Sequence, residues 1–399
     1  MNAPHNAVPE SAQAANAGAT FTVLHTFTGA PDDGFQTFGQ PAVTTTGYIF
    51  GTTAAGGTSN FGIAYELHGP LFKVLHSFTK SAGDGGFPSG KIVLNAAGGI
   101  TVTTNAGGAT NQGAIESVGP LGKTTVLHSF NFTDGAGPDS GVIADSSGTL
   151  FGTASAGGNN SFACQPIGGC GTVFSLDPKT RKLTVLHVFN ERDGALPLSA
   201  PVLDAAGNLY GVAQTGGPAT NPCQFKPAVP GCGVVFKIDR AGHYNIVHAF
   251  NNQDGEFPLS LTRTQKGQLY GATFKGGSTG LGVVFAIDPS GHETTLHTFT
   301  GGADGEFPDG LVLFDGKIFG FAAAGGTNKC KCGTIFELDP ATKKLTTLHT
   351  FGNGADGSTP TGALAVDAQG DIFGNTFAGG DVTKCSPPLG CGTLFEIKP

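Results

Sequence analysis

From about residue 20 to its end the chain alternates short apolar runs with clusters of Gly, Asp, Pro and Asn. One unit shows the pattern plainly: Leu259 to Arg263, Gln268 to Thr273, Gly282 to Ile287 and Glu293 to Phe299. Each run is rich in β-branched or aromatic residues and bounded by turn formers, the signature of a strand. We label the four a to d. Several are apolar on both faces, as expected of a sheet sandwiched between two others. The connections Gln265-Lys266-Gly267 and Pro289-Ser290-Gly291 read as tight hairpins. The same unit recurs around His25, His76, His128, His187, His248, His297 and His349, each preceded by Leu or Val and followed two residues later by Phe. The His-to-His steps are 51, 52, 59, 61, 49 and 52 residues, a period that suits one four-stranded blade.

The pattern predicts an all-β fold, a seven-bladed β-propeller of four-stranded antiparallel blades. Residues 1–19 read as a flexible lead and 20–399 as a single propeller domain. The chain opens on a d-type strand and ends on a c-type strand. Pairing about 21–27 with about 392–397 therefore completes the last blade and removes two free edges. The c-strand aromatics Tyr65, Phe174, Phe236, Phe285, Phe336 and Phe395 are the expected core between blades. Antiparallel order places the b–c and d–a loops on one face. That face then holds the Gly-Gly pairs, the Asp-Gly turns, the cysteines and the length variation at 157–171 and 216–233, and function concentrates on such loops.

Composition narrows the partners. Charged residues make up 13% of the chain and the net charge is −8, which disfavours phosphate backbones, so no nucleic acid is expected. No long apolar stretch predicts membrane insertion, and no anchor is expected after Lys398-Pro399. A monomer is the expected state. Eight cysteines fall in four local pairs, Cys164/Cys170, Cys223/Cys232, Cys330/Cys332 and Cys385/Cys391. Loop-stapling disulfides and an oxidising compartment follow, with the pairing inside Cys330-Lys331-Cys332 left open.

The repeating string Gly-x-Leu-Tyr/Phe-Gly-x-Thr, Gly-Gly, Gly-x-Val-Phe-x-Leu, Thr-x-Leu-His-x-Phe, Asp-Gly resembles the bacterial GloVer tandem repeat of "choice-of-anchor" exported proteins. The resemblance covers about residues 20–399. It implies export to the cell surface, the periplasm or the exterior, and implies no established reaction.

Seven equivalent histidines on a ring cannot converge on one metal. Each precedes an Asp by six to eight residues: Asp33, Asp84, Asp134, Asp193, Asp254, Asp304 and Asp356. A structural His–Asp tie between strand d and the next loop is expected, with no metal and no cofactor. Candidate ligand residues stand where the repeat breaks. Glu116 falls near the c-strand aromatic position, where burial would raise its pKa. Gly113 to Gly119 is one residue shorter than Gly62 to Gly69, however, and the favoured alignment matches Glu116 to Glu66, an exposed position. Lys91 and Arg263 interrupt the apolar axial strand with shared parity and can hold an anion. Glu191, Arg192 and Lys275 are non-consensus residues of the loop-rich face. No catalytic motif is recognisable. The expected function is a binding module for a protein or glycan. A glycoside- or polysaccharide-active enzyme at the channel mouth and a structural surface module are the alternatives.

Overall fold

The computed structural model describes residues 18–95, 98–159, 161, 164–218, 223, 229–385 and 389–399. The expected flexible lead, 1–19, lies almost wholly outside them. Seven blades of four antiparallel strands form a ring, and the two-residue strand Gly39–Gln40 adds in parallel to the inner edge of the second. In blade 1 the strands a to d are Ala42–Val43, Tyr48–Thr53, Ile63–His68 and Leu71–Ser77. Blade 2 is Gly85–Leu94, Ile100–Gly107, Ala114–Val118 and Thr124–Ser129. Blades 3 to 6 repeat the order through Thr350. Blade 7 takes a, b and c from Ser358–Val366, Ile372–Ala378 and Thr393–Lys398, and its outer strand from the other end of the chain, Thr20–Thr26. Thr20 pairs with Lys398 and Thr26 with Thr393, so the expected closure holds.

Three local devices build the ring. The first is a β-bulge at the residue before each repeat histidine. Register slips between Val74 and His76, for example, and at the same place in every other d strand. A bulge re-aims the side chain that follows it. Here it turns the imidazole toward the next loop, which explains the recurring Leu-His pair.

The second is an aromatic ring laid over a glycine of the adjacent strand. Tyr65 pairs with Gly51, Phe174 with Gly152 and Phe285 with Gly271. A Cβ on Gly51 would lie 2.1 Å from the Tyr65 Oη, so the glycine in Phe/Tyr-Gly-x-Thr is the space the ring needs. The rings are fully buried and meet the d-strand Phe of the preceding blade, as in Phe130–Phe174 at 5.2 Å.

The third clasps blade to blade at the loop-rich face. The third residue after each Asp takes a left-handed backbone, with Phe87, Leu196, Phe257, Phe307 and Thr359 all at positive φ. Its N–H donates to the preceding blade, as Phe87 N to the Phe61 carbonyl at 2.7 Å and Phe307 N to that of Leu281 at 2.9 Å. A buried Pro follows in six blades. Together these account for Asp-Gly-x-x-Pro.

All four cysteine pairs are disulfides: Cys164–Cys170, Cys223–Cys232, Cys330–Cys332 and Cys385–Cys391. They close individual loops as expected, and in two of them the second cysteine, Cys170 or Cys391, is also fully buried. Cys170 belongs to the core that holds Phe189 and Ala195, and Cys391 to the core that holds Phe27 and Tyr65. The reason is their position, one residue before the glycine that opens a c strand. Gly171 and Gly392 accept the N–H groups of Phe189 and Phe27 at 3.0 and 3.1 Å, so the preceding cysteine lies beneath the loop at the sheet end. There its sulfur packs as a small apolar group. The Cys170 carbonyl also receives the blade-to-blade bond from Leu196 N, at 3.1 Å. These disulfides thus anchor the loop to the core as well as closing it. Among the described residues, no helix is long and apolar enough to cross a membrane.

Candidate functional site

The histidines form an outer structural ring. In six blades Nε2 lies within hydrogen-bonding distance of the following Asp, from 2.9 Å at His128–Asp134 to 3.2 Å at His349–Asp356. His187 reaches Asp193 at 3.2 Å outside hydrogen-bonding geometry. Each Asp also accepts a backbone N–H from the start of its own loop: Thr28, Thr79, Asn131, Asn190, Asn251, Thr300 and Gly352. The carboxylate thus ties a strand to a turn. At Asp84 burial works against ionisation, but hydrogen bonds from His76 and Thr79 outweigh it and hold the carboxyl below its ordinary range.

The six candidate ligand residues do not converge. Glu116 pairs with Val102, the place that Gly51 and Tyr65 hold in blade 1. It is fully buried, and Glu66, which pairs with Phe50, occupies a different position. The alignment with Glu66 is therefore incorrect: Val102 fills the volume that a ring would take, and the chain is shortened beyond the strand. Neither Glu116 oxygen has a hydrogen bond of proper geometry. Burial, then the neighbouring Asp84 carboxylate, push its pKa up to about 8.

Arg263 stands at the a–b hairpin, on the face opposite the loops. Its guanidinium lies 3.9 Å from Asp204 and 5.4 Å from the Tyr210 ring. Glu191 accepts from Ser161 at 3.3 Å and Arg192 is exposed, both in the loop between blades 3 and 4. Lys275 covers the Phe307 ring at 5.6 Å. Lys91 belongs to the axis, its strand paired in parallel with Gln40 on one side and Gly141 on the other. The shared parity of Lys91 and Arg263 does not bring them together, because they occupy different levels of the ring. Cys223, Cys232 and Glu256 form a compact ligand-type cluster within 4.8 Å, but the two sulfurs are bonded to each other.

A different constellation lines the axial mouth. The residue after the buried Pro (Thr37 in blade 1) is partly or fully exposed in all seven blades: Phe38, Ser89, Asp139, Leu198, Leu259, Asp309 and Thr361. The next residue is Gly or Ser in every blade. Asp139 accepts from Asn105 and, at 2.8 Å, from Ser155, side chains at the upper ends of two b strands. Phe38, 41% exposed, meets Phe377 of the neighbouring blade at 5.4 Å. Burial raises the Asp139 carboxyl above its ordinary range and takes Asp309 to about 6, against a bond from the Gly310 N–H. Aligning the seven post-proline residues in the sequence would have found this set, because its members differ while both flanking positions are nearly constant.

A family model for the Gloeobacter/Verrucomicrobia repeat matches residues 13–225 and 226–399, and the chain belongs to that family. No curated protein matches the sequence. Among solved structures the chain is similar to an oligogalacturonate lyase in complex with manganese, at 12% identity and a TM-score of 0.59 over 96% of both chains. It also resembles the extracellular domain of a hybrid two-component system from B. thetaiotaomicron, at 12% identity and a TM-score of 0.57 over 96% of this chain and 42% of that one. A one-component system's extracellular domain from the same organism gives 11% identity and a TM-score of 0.55, over 94% of this chain and 39% of that one. The chain thus spans about two fifths of the latter two. At these identities the likeness establishes the propeller fold alone.

Proposed function

We propose that this Gloeobacter/Verrucomicrobia repeat protein is an exported binding module that takes its ligand at the axial mouth of the loop-rich face. One observation carries the reading. Between a buried Pro or Thr and an obligatory Gly or Ser, the seven mouth residues are Phe, Ser, Asp, Leu, Leu, Asp and Thr. Both flanking positions are nearly constant, so the variation between them supports a role beyond the scaffold. The Phe38–Phe377 ring pair supplies an apolar surface and the Asn105–Asp139–Ser155 cluster directed polar groups, the two ingredients of a ligand site. Four disulfides support an oxidising location.

The expected outcome of a glycan and peptide array is binding by the native chain that the double variant Phe38→Ala/Asp139→Asn loses at least about tenfold. Equal binding by native protein and variant would move the site elsewhere. The raised Asp139 and Asp309 carboxyls favour a second reading, acid-assisted cleavage of a bound glycan. Product release that Asp309→Asn abolishes would select it.

A further inference from the structure

Blade 6 departs from the repeat in its b–c loop. In every blade the residue two before the glycine that opens strand c has a left-handed backbone. These residues are Asn60, Asn111, Gly169, Gly231, Gly280, Lys331 and Gly390, with φ between 56° and 115°. Six of the seven are Asn or Gly, the residues that tolerate this region best. Lys331, at φ 56°, is the exception, and its two neighbours, Cys330 and Cys332, are bonded to each other. The bridge thus holds a side-chain-bearing residue where its backbone is disfavoured, a departure that clusters at functional sites.

Three further features set this bridge apart. It joins cysteines two residues apart, against 6, 9 and 6 for the other three. So short a loop gives a bridge the least entropic stabilisation. Cys330 is also the one exposed cysteine of the eight. Cys164, Cys170 and Cys391 are fully buried, and attack on their bridges requires the core to open. Lys329 and Lys331 flank Cys330, both exposed, with no acidic residue between Gly325 and Gly333. Neighbouring cations favour the thiolate, and a thiol of lowered pKa is the better leaving group. They also draw anionic thiols to a chain whose net charge is −8.

We propose that Cys330–Cys332 is a thiol-exchange site that takes electrons from small anionic thiols of the glutathione class while the other three bridges stay closed. The incoming thiolate attacks the Cys330 sulfur and the bond to Cys332 breaks. Its electron pair leaves on the Cys332 sulfur, which takes up the proton that the attacking thiol released. A second thiol attacks the mixed disulfide and frees Cys330. Two small thiols are oxidised to one disulfide, and the protein bridge is reduced to two thiols. Lys331 can then leave the left-handed region, which favours the open form. The site is independent of the axial mouth and does not require the binding role proposed there.

The full chain in glutathione buffers of graded reducing power, quenched with acid, differentially alkylated and mapped by peptide mass, tests the proposal. The equilibrium constant for opening Cys330–Cys332 is expected to exceed that of every other pair by at least about tenfold. Lys331→Gly, which gives blade 6 the residue that four other blades carry, lowers that constant on the order of tenfold by removing the backbone penalty. Lys331→Ala removes the same charge but keeps the penalty, and lowers it less. Opening of Cys330–Cys332 no more readily than the other bridges overturns the assignment. So do equal constants for Lys331→Gly and Lys331→Ala, or free thiols at both cysteines that oxidised glutathione does not pair.

Discussion

A glutamate buried in the place of an aromatic ring makes Glu116 the residue whose titration the fold should feel most. Its carboxyl is pushed up to about 8 by burial and then by Asp84. The folded protein therefore holds a proton that the unfolded chain releases near pH ~4.3. Stability from this group is complete below that value and is lost as pH rises toward and through 8. The native protein should then lose on the order of 3 kcal/mol between pH 5 and pH 8 from this site. Glu116→Gln, neutral and of equal size, should flatten that slope and raise stability at pH 8. Urea unfolding at the two pH values decides it, and parallel slopes for the two proteins would show that Glu116 is ionised or solvated in the folded state.

At the scale of the strand and its loop, the His–Asp ties at Asp84 and Asp356 carry the opposite pH dependence. Asp84 and Asp356 are buried enough to disfavour ionisation, yet their hydrogen bonds from His76 and His349 and from backbone N–H groups hold them below the ordinary carboxylate range. A lowered carboxyl contributes stability above its unfolded pKa that is lost as pH falls through the folded one. Asp84→Ala should cost about 2 kcal/mol at pH 7 by stranding the Thr79 N–H and the His76 ring, and should lose less stability on acidification below pH 4. Urea unfolding at pH 7 and pH 3 measures both.

The His–Asp ties were legible because a motif repeated seven times makes its spacing visible, and strand order followed from hydrophobic runs bounded by turns. What was hidden depended on register. The one-residue shortening after Glu116 gave no hint of whether it fell within the strand or beyond it. Burial of Cys170 and Cys391 was hidden in the same way, since spacing shows that two cysteines can pair but not that one of them sits under its loop. The Gly/Ser positions near the axis give no signal in the sequence, because a sequence does not show which glycines face one another across blades. Asp139 and Asp309 carry no signal of their own in the sequence for a related reason. Only the ring places them on a common rim.

The whole molecule rests on a closure made by its two ends. Thr20–Thr26 supplies the outer strand of blade 7, and its side chains reach further than its own sheet. Phe21 stacks on His349 of blade 6 at 3.8 Å and packs against Phe351 and Phe395, while His25 stacks on Phe72 of blade 1 at 3.8 Å. Removing this strand strips one sheet and loosens both of its neighbours. It also leaves Thr393–Lys398 as a bare edge, with unpaired backbone groups that invite another chain. A chain beginning at residue 28 should therefore melt well below the full protein, by an amount corresponding to more than about 4 kcal/mol when several buried aromatics lose their partners. It should also self-associate in sedimentation velocity. A synthetic peptide of residues 18–29 added in trans should restore the sedimentation coefficient of the full chain and raise the melting temperature in a saturable way, because the edge it meets is preformed. The same peptide with Phe21→Ala and Phe27→Ala should do neither, since register alone does not fill the space those rings occupy. Unchanged melting and a monomeric state in the truncated chain would mean that six blades and a three-stranded seventh hold the ring without the outer strand.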